Sequence, residues 1–203
     1  MRYEEYSVLE NRVRIPIAES YRDCWTLIRS DEFRLNGKHE SFLKIVSRNC
    51  SLFSQPVLFW FRLASYNGIF NLLCRFIYKS VSKKSQIQLS PKTKVGYGLY
   101  IGHKMCMIIN SGTIIGNNVN LSQFLNIGTN HDTPAIIGDN VYVGPNVCIV
   151  EDVVVGNNST IGAGAVVTTD VPTNSTVAGV PAKFLNENNP GRYINNSYFK
   201  LND

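Results

Sequence analysis

The sequence predicts an α+β protein with a helical N-terminal region, residues 1–86, followed by a prism of stacked short strands, residues 87–185, and a C-terminal tail, residues 186–203. Apolar residues fall at helix-like spacing before Gln86, a six-residue repeat begins at Ile87, and the chain after Leu185 is rich in Asn. With 203 residues, 44% apolar and 17% charged, the composition is that of a globular chain rather than a disordered or collagen-like one.

The helical region is predicted from four segments in which apolar and polar residues alternate with helical spacing: residues 21–35, 41–49, 56–65 and 69–83. Asn67-Gly68 interrupts the last two, and Pro56 suits the start of a helix. Asn-rich residues 186–203 are expected to form a loosely docked or partly disordered arm.

Positive charge is concentrated in the first half of the chain. The net charge is +5, and no Asp or Glu lies between Glu40 and Asp132. An anionic neighbour is therefore expected, such as a phosphate-bearing cofactor, a membrane surface or an acidic substrate. In residues 62–84, cations and aromatics occur together without an acid, which is typical of a helix lying on an anionic membrane. The alternative is that the aromatics pack on the prism. The residues concerned are Arg62, Arg75, Lys79, Lys83 and Lys84, beside Phe59, Trp60, Phe61, Phe70 and Phe76.

The repeat places an aliphatic residue or Met at every sixth position, with a two-residue slip after Met107 and a four-residue insertion after Ile127. Gly often follows this position, and Gly, Asn or Asp often stands two residues further on, as tight left-handed corners require. One strand and one corner per six residues describe one face of a prism with three hexads per coil, which gives a little over four coils. The predicted inward residues are Leu89, Val95, Ile101, Met107, Ile115, Leu121, Ile127, Ile137, Val143, Ile149, Val155, Ile161 and Val167.

This pattern resembles the left-handed parallel β-helix of hexapeptide-repeat acyltransferases over residues 87–185. The ending VVTTDVPTNSTVAGVPAKFL is similar to the family's exit from the last coil. TLIRSDEFRLNG and LFWFRLASY are similar to the front of serine acetyltransferase-like O-acetyltransferases, a subgroup associated with surface-polysaccharide synthesis. The resemblance implies transfer of an acetyl group from acetyl-CoA to a hydroxyl, in the main interpretation that of a sugar in polysaccharide biosynthesis.

His103 is the expected general base, because imidazole can take a hydroxyl proton near neutral pH and GLYIGHKMCMII aligns with the segment in which the family carries its base. Gln88 stands where serine acetyltransferases have an Asp that orients this base, and Asn110 is a second candidate for the same task. Cys106 shows no sign of activation as a nucleophile.

The resemblance also implies that coenzyme A lies in a groove between adjacent prisms of a homotrimer. The matching positions are Pro145, Ala163, Gly164, Thr176 and Lys183, of which Lys183 is suited to a phosphate. His131 and Asp132, in the insertion GTNHDTPAIIG, are expected to contact the acceptor.

Three other functions occur on the same fold. Serine O-acetylation in cysteine biosynthesis is one alternative, although Gly102 stands where that family has an Asp before the base, and Asp132-Thr133 where it has an Arg-His pair. N-acetylation of an amino-sugar nucleotide uses the same fold and base. A metal-dependent carbonic anhydrase needs three histidines, whereas the repeat contains only His103 and His131, so no metal is expected.

The cysteine pattern and the aromatic residues bear on cellular location and partners. Five cysteines without CxxC spacing, and no signal peptide, favour a cytoplasmic protein that is either free or peripheral to a membrane. Nucleic acid is not an expected partner, because the aromatics near the basic stretch are needed for helix packing.

Overall fold

The computed structural model describes residues 1–50, 56–129, 133–150 and 152–198. The helices in these ranges are α1 (Tyr21–Asn36), α2 (Phe42–Asn49), α3 (Val57–Ala64) and α4 (Asn71–Ser85). The strands are β1 (Arg2–Val8), β2 (Asn11–Ile17), β3 (Ile87–Leu89), β4 (Lys94–Val95), β5 (Tyr100–Ile101), β6 (Met107–Ile109), β7 (Ile114–Ile115), β8 (Asn120–Leu121), β9 (Asn126–Ile127), β10 (Ile136–Ile137), β11 (Tyr142–Val143), β12 (Cys148–Ile149), β13 (Val154–Val155), β14 (Thr160–Ile161), β15 (Val166–Val167), β16 (Thr176–Ala178) and β17 (Lys183–Asn186).

Strands β3 to β16 form a three-sided parallel β-helix. Face 1 contains β3, β6, β9, β12 and β15; face 2 contains β4, β7, β10 and β13; and face 3 contains β5, β8, β11, β14 and β16, with β17 added antiparallel at its end. All thirteen predicted inward residues are buried, none more than 4% exposed. The predicted α+β fold and its little over four coils are therefore confirmed.

The two-residue slip lies one strand earlier than predicted. Leu89 pairs with Ile109 rather than with Met107, and Ile109 pairs with Ile127. The step from Ile101 to Ile109 therefore carries the two extra residues. Met107 is still buried, because β3 and β6 each have three residues and turn two side chains inward. The enlarged corner is the one that contains His103.

An antiparallel hairpin, β1–β2, precedes the helices and was missing from the predicted helical region. Its Val8, Val13 and Ile15 pack against Ile114 and cover face 2. The period-two alternation in NRVRIPI is the sequence signal that fits this strand.

The four predicted helices are confirmed, with ends within about two residues of those predicted. Ser20 caps α1 by accepting a hydrogen bond from the Asp23 N–H, and Gly37 ends it with a left-handed φ of 68°. Val57 and Phe61 of α3 share one hydrophobic cluster with the first coils of the prism. The helices therefore pack directly on the end of the prism that contains His103.

A buried ion pair joins α1 and α3 to the first coil. Arg62 donates two hydrogen bonds of 2.9 Å to the two carboxylate oxygens of Asp31, and others to the carbonyls of Val95 and Gly96. Asp31 also accepts from the Leu99 N–H. Arg62 is 2% exposed, so the expectation that it faces a membrane is wrong, and Phe59 and Phe61 are buried with it.

Residues 186–198 are not the loosely docked arm that the sequence predicts, because they pack along face 3. The Tyr193 ring lies 4.8 Å from that of Tyr142, and the Tyr193 carbonyl accepts from the Asn120 amide. Tyr198 contacts the rings of Phe33 and Tyr97. This part of the tail therefore ties α1 to the prism.

Candidate active site

His103 lies on the prism edge between face 3 and face 1, in the enlarged corner after β5. Its backbone has a left-handed φ of 54°, and Lys104 and Cys106 are also left-handed at 22° and 50°. None of these is Gly, Asn or Asp, so each conformation costs roughly 1–2 kcal/mol, and such strain collects at functional sites. The turn leaves the His103 side chain exposed to solvent.

Lys104 projects differently from His103. It lines a small cavity beneath α1 with Asp31 and Glu32. Burial lowers the pKa of the Lys104 amine, and the nearby Glu32 opposes that shift. The turn thus directs the His103 imidazole to solvent and the Lys104 side chain toward the helical region.

The two predicted orienting residues of His103 occupy different places. Gln88 is exposed in the middle of β3, on face 1, opposite Ile108 of the next coil. Asn110 stands at the next corner, between face 1 and face 2, where its side-chain oxygen accepts from the Gly112 N–H at 2.8 Å. Face 1 separates Asn110 from His103 within one chain, and its side-chain oxygen accepts a hydrogen bond in its own turn, so its assignment to His103 stays a prediction.

Gln88 remains a prediction. It borders the corner that holds His103, but no hydrogen bond joins the two side chains in the described part of the chain. Cys106, in the same corner, donates its thiol to the Gln86 side-chain oxygen at 2.9 Å. That bond ties the cysteine to the end of α4.

The corners above His103 form a continuous ridge, here called the His103 edge and consisting of residues 102–106, 122–124, 144–146 and 162–164. Strand register aligns Ile101, Leu121, Val143 and Ile161 on successive coils, so His103, Pro145 and Ala163 stand above one another. Each coil rises about 4.8 Å, which places Ala163 about 15 Å from His103 along the prism. Three of the predicted coenzyme positions, Pro145, Ala163 and Gly164, thus share one edge with the predicted base.

Small residues are required on the upper part of this edge. A Cβ on Gly144 would stand 2.8 Å from the Ala163 nitrogen, and one on Gly162 would stand 2.8 Å from the Ala178 Cβ. Gly164 has φ +70° and open space around its Cα. The upper part of the edge therefore has no room for a side chain at Gly144 or Gly162.

Thr176 and Lys183 lie at the far end of the prism. Thr176 is half-buried in β16 on face 3, and Lys183 is exposed in β17, paired with Ala178. Because Ala178 is the neighbour of Gly162, Lys183 stands close to the top of the His103 edge. The exposed ammonium of Lys183 is about four coils from His103.

His131 and Asp132 lie outside the described residues. The neighbouring strands are β9 of face 1 and β10 of face 2. The predicted contact of His131 and Asp132 with the acceptor stays a prediction.

Face 1 is uncovered in the described structure, in contrast to face 2 under the hairpin and face 3 under the tail. Its outward residues Gln88, Ile108, Asn126 and Cys148 are exposed. Phe124, on the His103 edge beside it, is 50% exposed.

Gln123 and Phe124 were missed by the sequence analysis as candidates for the site. They occupy the His103 edge one coil above His103, and the Gln123 carbonyl accepts from the Asn146 N–H. In their hexad, Ser122 stands where most corners have Gly. Phe124 has a left-handed φ of 61°, at the position where most corners have Gly, Asn or Asp. A missing Gly in an otherwise regular repeat is the signal that could have identified them.

No group of three or more His, Cys, Asp and Glu side chains is placed to hold a metal ion within the ranges that the structure describes.

Comparison with known proteins identifies the family. Residues 134–169 match the profile described as "Bacterial transferase hexapeptide (six repeats)". The serine acetyltransferase of Helicobacter pylori strain J99 is 32% identical over 149 residues, which cover 62% of this chain and 85% of that protein. The chain belongs to the hexapeptide-repeat transferase family.

Other relatives are longer. The serine acetyltransferase of Escherichia coli K12 is 31% identical over 117 residues, 56% of this chain and 43% of the relative. Serine acetyltransferase 3, mitochondrial, of Arabidopsis thaliana is 32% identical over 118 residues, 56% of this chain and 30% of the relative. The chain therefore spans less than half the length of these two relatives.

Solved structures agree on the left-handed β-helix acyltransferase fold. The serine acetyltransferase of Brucella abortus strain S19 has a TM-score of 0.70 at 23% identity, covering 85% of this chain and 72% of that chain. A serine acetyltransferase in complex with CoA has a TM-score of 0.63 at 20% identity, covering 80% and 68%. These relatives are named for serine, and none of them supports the expected link to polysaccharide synthesis.

Proposed function

We propose that the protein is an acetyl-CoA-dependent O-acetyltransferase in which His103 is the general base. The observation that carries this proposal is the alignment of His103 with Pro145, Ala163 and Gly164 on one exposed edge. The exposed imidazole of His103 at one end of this edge and Lys183 near the other fit an extended donor with an anionic end.

When bound, acetyl-CoA supplies an activated acetyl thioester. His103 holds the acceptor hydroxyl through its unprotonated ring nitrogen and takes the hydroxyl proton as the acceptor oxygen bonds to the acetyl carbon. The same imidazolium then returns that proton to the departing sulfur. The edge contributes by positioning the two reactants, which lowers the entropic part of the barrier.

A homotrimer is the assembly that best completes this site. Among the described residues, face 1 is uncovered. It is bordered on one side by the His103 edge and on the other by the edge between face 1 and face 2, here called the insertion edge. In a cyclic trimer with face 1 turned to the axis, the His103 edge of one subunit meets the insertion edge of its neighbour. His131 and Asp132 stay the proposed acceptor contacts.

L-Serine is the first acceptor to test, because the relatives with the sequence and fold similarities above are named serine acetyltransferases. A sugar hydroxyl is the second candidate, on one specific observation. Gly102, beside His103, cannot offer the carboxylate that a serine ammonium needs, although a side chain would fit there, since the nearest atom to an added Cβ is 3.7 Å away.

A product screen tests the proposal. Purified protein is incubated with acetyl-CoA and, separately, with L-serine, an amino-sugar nucleotide and oligosaccharides, and products are analysed by mass. We expect one acceptor to gain an acetyl group that mild alkali removes, as an ester requires. An alkali-stable product would indicate N-acetylation, and no transfer to any acceptor would contradict the proposal.

A further inference from the structure

The outward side of α4 carries an exposed apolar patch. Five large apolar side chains are between 56% and 88% exposed, and they lie within eight residues of one another: Ile69, Phe70, Leu72, Leu73 and Phe76. Soluble proteins rarely leave such clusters uncovered, and when they do the cluster is usually an interaction site.

The opposite side of α4 is fixed to the prism. Cys74, Tyr78 and Ser85 are buried, and the Tyr78 hydroxyl donates to the Leu89 carbonyl at 2.5 Å. The Phe70 N–H donates to the Tyr21 hydroxyl of α1 at 2.8 Å, and the rings of the two residues lie 5.8 Å apart. The patch is therefore presented on a supported helix.

Cations continue the same outward side along the helix. Leu72, Phe76, Lys79 and Lys83 are spaced by four, three and four residues, which places them in one stripe of an α-helix, and Lys84 lies beside it. All three lysines are exposed, and none has a carboxylate partner in the part of the chain that the structure describes. The sequence places no acid on α4 or within twenty residues on either side.

We propose that this side of α4, from Ile69 to Lys84, docks on an anionic lipid bilayer. The apolar residues would enter the interface and the lysines would meet lipid headgroup charges, the arrangement typical of interfacial helices. No helix among the described residues is long and apolar enough to cross a bilayer, so the contact is peripheral. The proposal corrects the sequence prediction, since Phe59, Phe61 and Arg62 are buried and Ile69, Leu72 and Leu73 take their place.

A second copy of the chain is the competing occupant, and charge argues against it. Pairing two α4 surfaces would bring together six lysines and no carboxylate, whereas an anionic surface neutralises them. In the proposed trimer, symmetry places three α4 surfaces at the same height along the axis, so that they could bind one bilayer together with increased avidity.

Vesicle sedimentation of the full chain tests the proposal. We expect binding to vesicles of phosphatidylcholine with phosphatidylglycerol, weaker binding as salt is raised, and little binding to phosphatidylcholine alone. The triple variant K79Q/K83Q/K84Q should lose affinity on the order of 100-fold, at roughly fivefold per cation. L72S/F76S should lose at least about tenfold.

Matched controls separate the surface from general charge and hydrophobicity. K38Q/K44Q/K92Q removes the same charge elsewhere, and F184S/L185S removes exposed apolar side chains at the far end of the prism. Both should bind vesicles nearly as the wild type does. Absence of binding to anionic vesicles at low salt, equal binding by all variants, or a change of oligomeric state in L72S/F76S by light scattering would overturn the proposal.

Discussion

Replacing Arg62 with Met should destabilise the protein more than any single surface substitution, because it leaves a buried carboxylate without its cation. The guanidinium of Arg62 makes two bonds of 2.9 Å to Asp31 and two more to the carbonyls of Val95 and Gly96. After substitution, Asp31 keeps the Leu99 N–H as a donor. Breaking a buried pair by removing one partner costs about 3–5 kcal/mol.

That loss converts to a fall in the melting temperature of roughly 6–20 °C for a chain of this size, measured by circular dichroism. The melting temperature of Arg62→Lys should lie between those of Arg62→Met and the wild type, since one ammonium cannot make all four hydrogen bonds of the Arg62 guanidinium. Arg12→Met is the matched control, because Arg12 pairs with Glu5 at 3.8 Å on the surface and its loss should hardly move the transition. An Arg62→Met curve that overlays the Arg12→Met curve would refute the reasoning.

Four further substitutions, at three positions, probe the His103 edge and face 1. Ile108→Arg, on face 1, should dissociate the trimer and weaken coenzyme A binding, measured by light scattering and calorimetry; a variant that stays trimeric with full affinity would contradict the assigned interface. Gly144→Ala should lower the free energy of unfolding by about 1–3 kcal/mol, since its Cβ meets the backbone of the next coil. Gly102→Ala is the control and should have the free energy of unfolding of the wild type, because its Cβ has room. Gly102→Asp should fold normally and lower the KM for L-serine roughly tenfold by pairing with its ammonium; an unchanged KM would remove Gly102 as a specificity determinant.

The repeat made most of the prism predictable from sequence. Period six fixes which side chain points inward, and inward burial is a local consequence of the hexad, so Leu121 or Val143 could be assigned without knowing the rest of the chain. The placement of His103 on an exposed corner followed from the same periodicity. Pro145 and Ala163 could be aligned with it for the same reason.

Contacts between residues far apart in the sequence could not be predicted in the same way. Ile109 and Met107 are both apolar and both buried, so the sequence does not decide which of them pairs with Leu89. The pairing depends on how many residues the corner before β6 contains. The basic, aromatic segment around Arg62 indicates that its side chain faces solvent or lipid. The fold instead brings it to Asp31, which is 31 residues away in the sequence. The docking of Tyr193 and Tyr198 likewise depends on partners in distant segments.

The central claim, that His103 is the base on a coenzyme-binding edge, is tested most directly by comparing turnover and coenzyme A affinity in His103→Ala. With the acceptor found in the product screen, we expect turnover to fall by about a hundredfold or more while calorimetry shows coenzyme A bound as in the wild type. His39→Ala, which changes an exposed histidine in the loop after α1, should retain full turnover. Unchanged turnover in a folded, trimeric His103→Ala protein would contradict the account.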